Sequence, residues 1–310
     1  MNKAFVTIVI PAYNHAKYLK QAIDSILNQD YPNIELIVLD DGSTDNTLDL
    51  LKSYGNLFVW ERHENTGQAN TLNKGWKMAK GDILSYLSAD DFLLPHAVRL
   101  SVESLLKNPD AVLSYGDFHL VDSESRVVRN VIAPDYSYED MVTNYICAPG
   151  PGVFFRRDAY LKTGGWDSNF RQSPDFEYWL RLGLTGRFMH INNRLAAFRV
   201  HEESQTFAQM TIERANEPLK IIQKYYSLPN IPTEIIARKK KVFANANFVS
   251  AQLHIRSDRY GLGFSHVFKA VLMYPQSLFS LRLLRMLANG LFNRYFHKLL
   301  RIIRSTKNFN

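Results

Sequence analysis

The sequence predicts an α/β protein with a mostly parallel, Rossmann-like central sheet flanked by helices, followed by a C-terminal helical extension. Apolar, β-branched runs alternate with segments of helical spacing along the first two thirds of the chain. Polar and acidic clusters follow several of these runs, where parallel strands would end. After about Phe207 the strand pattern stops. We therefore expect an α/β domain over residues 1–207 and a helical region over 208–310.

The first elements form a βαβ unit. Residues 5–11 are β-branched and end at a proline, which predicts a buried strand. Helical spacing follows over 18–27, and a second apolar run over 34–39 predicts the next strand. In the turn after this strand, Ser43 or Thr44 is expected to cap the following helix.

The same alternation continues further along the chain. The predicted strands lie near 57–60, 83–87, 111–115 and 153–155, the helices over 68–80, 95–106 and 176–184, and an irregular hairpin over 117–130. Strands that alternate with helices predict a mostly parallel sheet.

Composition excludes several classes of protein. With 46% apolar residues among 310, the chain can bury a substantial core. Its single cysteine, Cys147, rules out an intrachain disulfide and a cysteine-rich metal site. The N-terminus has no signal-peptide pattern, and no run reaches the ~18 apolar residues of a spanning helix. We therefore expect a cytoplasmic protein.

The positive charge is concentrated at the C-terminus. Residues 259–310 contain nine Lys or Arg and no Asp or Glu, although the net charge of the whole chain is +7. Over 281–303 the apolar residues form one helical stripe, with basic residues mainly opposite. We expect residues 281–304 to contact an anionic membrane surface, on the inner face of the membrane. The alternative is a helix packed on the domain; no recognised nucleic-acid module accompanies the charge.

Three polar clusters follow predicted strands. They are Pro11, Ala12, Tyr13 and Asn14; Asp40 and Asp41; and residues 88–91. In an open parallel sheet, ligands gather at the carboxyl ends of strands. The first two clusters offer carboxylates and an aromatic ring for a nucleoside, and the third offers carboxylates for a hard divalent cation. Alternatively, Asp90 and Asp91 only cap the helix that begins near Pro95.

These motifs resemble those of the family 2 glycosyltransferases, which have the GT-A fold. The resemblance rests on the Pro-Ala-Tyr-Asn opening, the Asp-Asp-Gly-Ser-Thr-Asp turn about thirty residues later, Asn65-Thr66-Gly67, and Ser-Ala-Asp-Asp before Pro95. It covers residues 5–207.

The resemblance implies roles for these residues. Pro11, Ala12, Tyr13 and Asp40 would contact the nucleoside, Asp90 would lie near the ribose and diphosphate, and Asp91 would bind Mn²⁺ or Mg²⁺, with His201 as a further ligand. The remaining residues of the donor site would be Asn14, Asp41, Asn65, Gly67, Gln68 and Ser88. Ser88 departs from the family's Asp-any-Asp motif, which leaves the division of labour between Asp90 and Asp91 open.

The acceptor side is expected around residues 164–181. The resemblance implies that Asp175 is the catalytic base. Glu177 is the rival, and on a helix the two acids point about 200° apart, so only one can face the cleft. Trp166 and Trp179 are assigned to the acceptor side, where they could stack on sugar rings, although a tryptophan is more often a core residue.

The sequence thus predicts a metal-dependent enzyme that transfers a sugar, with inversion, from a UDP-linked or related nucleotide diphosphate sugar. The acceptor would be a hydroxyl of a saccharide or lipid-linked molecule, in polysaccharide or glycoconjugate synthesis. Nucleotidyl transfer and a non-catalytic nucleotide- or sugar-binding module are the alternatives. A dinucleotide-dependent oxidoreductase is excluded because Gly-x-Gly-x-x-Gly does not follow the first strand.

Overall fold

The computed structural model describes residues 4–201 and 210–279. Internal contacts divide the chain into two compact units, the first made of Met1–Tyr138 and Cys147–Ser204, the second of Glu139–Ile146 and Gln205–Asn310. The boundary at residue 207 lies outside the described residues and stays a prediction. The sequence did not indicate that Glu139–Ile146 groups with the C-terminal unit.

Within the described residues, nine strands form one sheet in the order β3-β2-β1-β4-β8-β6-β9-β5, with β7 paired to β6. The strands are β1 Val6–Ala12, β2 Ile34–Asp40, β3 Val59–Arg62, β4 Ile83–Tyr86, β5 Phe92–Leu93, β6 Ala111–Val121, β7 Val127–Val131, β8 Phe154–Arg156 and β9 Arg187–Arg199. Strands β1 to β4 are parallel to their neighbours among these four, as predicted.

The second half of the sheet is mixed. Strand β8 runs antiparallel to both β4 and β6, β5 runs antiparallel to β9, and β6 and β7 form a hairpin. Only β6 and β9 are parallel to each other there. The expected parallel sheet is therefore confirmed for its first half, whereas the rest combines both directions.

The sequence prediction missed β9, a strand of 13 residues. Its centre contains Asn192, Asn193 and Arg194, which lack the apolar alternation of a strand. The register with β6 shifts between Gly116 and Asp117, whose partners are Ile191 and Arg194. Such an irregularity lets a strand continue across residues that would otherwise interrupt its pattern.

Seven helices lie between residues 4 and 201 of the described chain, and all but the fifth, which groups with the second unit, belong to the first unit. They are α1 Ala16–Leu27, α2 Thr47–Ser53, α3 Gln68–Met78, α4 Ala97–Lys107, α5 Tyr138–Asn144, α6 Arg157–Thr163 and α7 Pro174–Leu182. The capping prediction for α2 is wrong, because Asp45 Oδ1 accepts the Thr47 N–H and Ser43 Oγ accepts the Asn14 N–H. Ser43 and Thr44, which were expected to cap α2, instead form hydrogen bonds with Asn14 in the loop after β1.

The core surrounds the parallel strands. All seven residues of β1 are buried, as are the last five of β2. Helix α1 buries Leu19, Ala22, Ile23 and Ile26 in the same cluster. A rigid strand thus leads into each polar loop at this sheet edge.

The described part of the second unit is helical. It contains α8 Ile212–Ala215, α9 Glu217–Tyr225, α10 Thr233–Ala237, α11 Lys239–Arg256, α12 Tyr260–Met273 and a 3-10 turn, Pro275–Phe279. Ala244, Phe248 and Ala270 join α11 and α12 in a small core. No helix in the described ranges is both long and apolar enough to cross a bilayer. The predicted amphipathic helix over 281–303 lies outside those ranges.

Candidate active site

The loops after β1 and β2 are bonded to each other at the carboxyl edge of the sheet. Asn14 has a positive φ of 54°, in the left-handed region that asparagine tolerates. Its N–H donates to Ser43 Oγ at 2.9 Å, and its Oδ1 accepts the Thr44 N–H at 2.7 Å. In the same way, Asp45 Oδ2 accepts the Ala16 N–H. Asn14 therefore holds the two loops together.

The expected nucleoside residues differ in exposure. Pro11 and Ala12 are buried in β1, whereas 44% of Tyr13 is exposed and its ring is available to a base. Asp40 is fully buried; its Oδ1 accepts the Ser43 N–H, and its Oδ2 has no hydrogen-bond partner among the described residues. Arg62 Nε lies 3.5 Å from that oxygen. A nucleoside would reach Asp40 only if the Arg62 side chain moved.

Asp41 is bonded to the loop before α3. Its Oδ1 accepts the Thr66 N–H at 2.7 Å, and its Oδ2 accepts the Gly67 N–H at 2.9 Å. The carboxylate is buried and lies 3.5 Å from His63 Nδ1. Both oxygens thus hold the loop before α3, and the assignment of Asp41 to the donor site stays a prediction.

The loop before α3 passes close to the loop after β2. Gly42 has a φ of 78°, and a Cβ there would lie 2.9 Å from Asn65 N. Only glycine fits this approach without displacing the backbone. Asn65 and Gln68 are exposed beside it, and Gly67, with a φ of 88°, immediately precedes α3. These three predicted donor-site residues therefore lie in the loop before α3 and at the first position of that helix, next to the end of β2.

Asp90, in the loop after β4, lies between His15 and His201. His201 Nε2 is 3.0 Å from Asp90 Oδ2, and His15 Nε2 is 4.0 Å from the same oxygen. One ligand atom from each of the three residues lies within 4.8 Å of the other two, close enough to share a cation. Burial by itself raises the pKa of Asp90, but the His201 hydrogen bond and the nearby His15 outweigh it and lower that pKa.

Asp91 occupies a different position. Its carboxylate is 3% exposed, and Oδ1 accepts the Arg199 N–H at 2.8 Å. Burial and the neighbouring Asp90 charge raise the pKa of Asp91 well above its usual value. Asp90, and not Asp91, lies beside the two histidines, so the assignment of Asp91 as the metal ligand stays a prediction, and Asp90 is the carboxylate of the candidate cation site. Ser88, half-buried, accepts the Asp91 N–H and fixes this turn.

Arg199 anchors the loop after β4. The side chain is 1% exposed, and its Nε donates to the Asp90 carbonyl at 2.8 Å. Its other nitrogens donate to the Asp122 carbonyl in the β6–β7 turn and to Gln21 Oε1 on α1. The guanidinium also lies 4.5 Å from the centre of the Tyr18 ring. One planar group with five N–H donors therefore joins three segments, which a lysine could not do.

Asp175 lies in the first turn of α7. It is half-buried, its Oδ1 accepts the Phe176 N–H at 2.8 Å, and burial raises its pKa. Burial also raises the pKa of Tyr86, and the charges of Asp175, Cys147 and Asp91 raise it further. The charges of Asp175 and Asp91 thus act on the same side chain, Tyr86, which is the last residue of β4.

Glu177 is held by a buried ion pair. It is 3% exposed and forms a two-point ion pair with Arg181, which also donates to the Thr163 and Gly165 carbonyls. Removing one partner of a buried ion pair costs about 3–5 kcal/mol. Glu177 is therefore a structural residue, as expected if only one of the two acids faces the cleft.

Both predicted stacking tryptophans are in the core. Trp166 is 5% exposed and packs against Trp76 and Tyr86, while Trp179 is 1% exposed and packs against Phe155. Two hydrogen bonds between Asn73 and the Trp166 backbone hold residue 166 against α3. The core position is therefore the one observed, and other aromatic rings cover the faces that could have stacked on a sugar.

The sequence analysis overlooked His15 and Tyr86. His15 directly follows the Pro-Ala-Tyr-Asn motif, and Tyr86 is the last residue of β4. Their positions at the carboxyl ends of neighbouring parallel strands were the signal that could have identified them.

The fold and the site together define an α/β protein with polar loops and a candidate cation site at the carboxyl edge of its sheet. The chain belongs to glycosyl transferase family 2, whose family model matches residues 7–162. An uncharacterized glycosyltransferase of Rickettsia typhi is 31% identical over 210 residues, which are 65% of each chain. The chondroitin synthase of Escherichia coli is 30% identical over 72% of this chain, and the hyaluronan synthase of Pasteurella multocida 32% identical over 68%.

These matches span only part of the relatives. The aligned segment is 32% of the chondroitin synthase and 22% of the hyaluronan synthase. Solved structures show the same fold at low identity. Staphylococcus aureus TarS 1–349, in complex with UDP-GlcNAc, has a TM-score of 0.59 at 14% identity, covering 88% of this chain and 92% of that one.

The mannosyltransferase PcManGT from Pyrobaculum calidifontis was solved with GDP-Man and Mn²⁺. It has a TM-score of 0.57 at 18% identity and covers 94% of this chain and 80% of its own. The fold predicted from the sequence, GT-A with a helical C-terminal region, is therefore confirmed.

Proposed function

We propose that the protein transfers a sugar from a nucleotide diphosphate sugar to a hydroxyl of a saccharide or lipid-linked acceptor, with inversion. One observation carries the proposal: the loops after β1 and β2 are bonded to each other at one edge of the sheet, and in the loop after β4 at this edge Asp90 lies between His15 and His201. A donor site is thus available at this edge. Polysaccharide or glycoconjugate synthesis is the process that this chemistry serves.

The nucleoside would bind across the ends of β1 and β2. Tyr13 offers an exposed ring, and the unpartnered Oδ2 of Asp40 would accept an N–H of the base once Arg62 moves aside. Asn14, Asn65, Gly67 and Gln68 would line the loops around it. We propose a UDP-linked donor, which the UDP-GlcNAc complex of TarS supports.

The residues around Asp90 fit a divalent cation. A carboxylate oxygen suits Mg²⁺ and Mn²⁺, and an imidazole nitrogen from His201 suits transition ions. When bound, such an ion neutralises the negative charge that develops on the departing diphosphate. Ser88 and Asp90 would position this loop beside the ribose. The Mn²⁺ in the PcManGT complex supports the same type of cofactor.

Asp175 would remove the proton from the acceptor hydroxyl. Its raised pKa reflects burial, and a base in a partly desolvated position gains strength. Because Glu177 is held by Arg181, Asp175 is the acid of α7 that remains for this task. A single carboxylate on the acceptor side is sufficient for direct displacement with inversion.

Calorimetry with a panel of nucleotide diphosphates, with and without Mn²⁺, tests the proposed function. We expect one nucleotide to bind in the low micromolar range or tighter with Mn²⁺ and at least about tenfold more weakly without it. UDP is the expected ligand. If none of the nucleotides binds, a non-catalytic module becomes the better description. If a nucleoside triphosphate binds far more tightly than the diphosphates and is cleaved, nucleotidyl transfer becomes the better description.

We propose, further, that the C-terminal region contacts an anionic membrane surface, placing the enzyme in the cytoplasm on the inner face. Phe264, Phe268 and Leu272 lie at intervals of four on α12 and are 62%, 65% and 65% exposed. The opposite face packs on α11, since a Cβ on Gly263 would meet Ile255. Apolar exposure beside a segment with basic residues and no acids fits anionic lipid better than another protein core.

Sedimentation with lipid vesicles tests this membrane contact. We expect Phe264→Ser with Phe268→Ser to lower binding to vesicles of phosphatidylcholine and phosphatidylglycerol by about tenfold or more. Removal of residues 281–310 should lower it further. The control, Leu106→Ser with Leu161→Ser, removes equally exposed apolar residues from the first unit and should have no effect. Undiminished vesicle binding, or a dimer that the phenylalanine variants dissociate, would contradict the membrane assignment.

A further inference from the structure

We infer that His15 is a third protein ligand of the divalent cation and that it makes the site prefer Mn²⁺ to Mg²⁺. The inference rests on the proposed function, because it concerns the cation of the same site. It adds a residue from the loop after β1 to Asp90 and His201. The cation would then bind one nitrogen of His15, from the loop after β1, one nitrogen of His201, which follows β9, and one carboxylate oxygen of Asp90.

The distances allow all three residues to bind one ion. Two ligand atoms that each lie about 2.1 Å from an ion are at most about 4.2 Å apart. The distances to Asp90 Oδ2 are 3.0 Å from His201 Nε2 and 4.0 Å from His15 Nε2. With all three ligand atoms within 4.8 Å of one another, a small closing movement would suffice.

The orientation of His15 is fixed by its other ring nitrogen. Nδ1 lies 2.6 Å from the Tyr13 carbonyl, an acceptor only, so Nδ1 must carry the proton. The lone pair is then on Nε2, the nitrogen that faces Asp90. Histidines that bind metals usually donate their second nitrogen in this way, which sets the tautomer and raises the basicity of the ligand atom.

The backbone around His15 is held as well. The left-handed Asn14 turns the chain immediately before it, and the His15 carbonyl accepts the Leu19 N–H at the start of α1. The Ala16 N–H donates to Asp45 Oδ2 at 3.0 Å. These bonds restrict the ring to one region, so little entropy would be lost on binding an ion.

Two imidazole nitrogens change which ion the site prefers. Mg²⁺ binds oxygen ligands and keeps much of its water, and it gains little from nitrogen. Mn²⁺ and the later first-row ions accept imidazole together with carboxylate. A site with one carboxylate and two histidines therefore favours Mn²⁺ over Mg²⁺ more strongly than a site with a single histidine.

The test measures ion binding to the full chain with His15→Asn. Asparagine can still donate to the Tyr13 carbonyl through an amide that replaces Nδ1, but it lacks an atom at the position of Nε2. The control is His96→Asn, because His96 also precedes a helix and lies beside a carboxylate, Asp30. Free Mn²⁺ is measured by electron paramagnetic resonance with UDP present, and Mg²⁺ is measured by competition.

We expect His15→Asn to lower Mn²⁺ affinity by about tenfold or more and Mg²⁺ affinity by less than about threefold. Pulsed measurements of the bound Mn²⁺ should show two imidazole nitrogens in the wild-type chain and one in the variant. His96→Asn should match the wild type in both respects.

Other results would overturn the inference. An unchanged Mn²⁺ affinity, or equal losses for both ions, would remove His15 from the ligands. Weaker UDP binding without metal, at unchanged Mn²⁺ affinity, would make His15 a diphosphate contact instead. A wild-type chain that binds neither Mn²⁺ nor any nucleotide would refute the proposed function too, whereas a wild-type chain that binds both would confine the failure to His15.

Discussion

Asp175→Asn is expected to lower the rate of sugar transfer by about 10²–10⁴-fold, the usual contribution of a general base. The amide cannot accept a proton from the acceptor hydroxyl, but it can still accept the Phe176 N–H as Asp175 does. Donor affinity, measured by calorimetry, should therefore stay within about threefold of the wild type. The loss should appear in kcat.

Asp158→Asn is the matched control for this variant. Asp158 lies in the first turn of α6, and its Oδ1 accepts the N–H of the next residue at 2.8 Å, as in Asp175, but it is exposed to solvent. This control should leave the rate unchanged. Near-normal transfer by Asp175→Asn would show that another group is the base.

The pH dependence of transfer follows from the same residue. A base must be ionised, and burial raises the pKa of Asp175. The rate should therefore fall about tenfold per pH unit below that raised pKa, and the fall should begin at a higher pH than the ~3.9 of a free aspartate predicts. The Asp158→Asn control should show the same acid limb as the wild type.

Asp90→Asn is expected to weaken Mn²⁺ binding strongly and Asp91→Asn hardly at all, although the residues are adjacent. Asp90 faces His201 and His15, so its loss should lower Mn²⁺ affinity by more than about 100-fold, beyond the cost of losing an outer partner. In Asp91→Asn the new amide oxygen can still accept the Arg199 N–H, so Mn²⁺ affinity should stay within about threefold. Mn²⁺ titration of both variants by calorimetry decides between them.

The reverse order would support the assignment made from the sequence. If Asp91→Asn lost Mn²⁺ and Asp90→Asn kept it, the loop after β4 would have to turn on binding the donor. Asp91→Ala provides a further check, because it leaves the buried Arg199 N–H without an acceptor. That loss should lower the free energy of unfolding by about 1–3 kcal/mol.

Local pattern was sufficient to predict the first half of the sheet. Strands β1, β2 and β4 are apolar runs, and each ends at a polar cluster that the structure places at one edge. Strand β9 could not be found in this way, because its stability comes from pairing with β6 across a shift in register. The amino-acid sequence alone does not show which distant strand a segment will pair with.

The site was predictable to the level of clusters but not of side-chain direction. Asp90 and Asp91 are adjacent, and only the turn between Ser88 and Asp91 decides which carboxylate faces the histidines. Asp41 looked like a ligand residue because it lies beside Asp40, yet it bonds to Thr66 and Gly67, 25 and 26 residues further along the chain. A short sequence motif does not predict hydrogen bonds between residues this far apart in the chain.

The buried guanidinium of Arg199 has a consequence for how this protein tolerates change. Because it joins the Asp90 carbonyl to the Asp122 carbonyl and to Gln21, the turn between β6 and β7 is connected to the loop that carries Asp90 through a single side chain. An insertion or a stiffer turn there would shift Arg199 and, through it, the backbone of Asp90. If Asp90 binds the cation as proposed, loops grafted or tags fused at this turn would weaken donor binding although they touch no reactant.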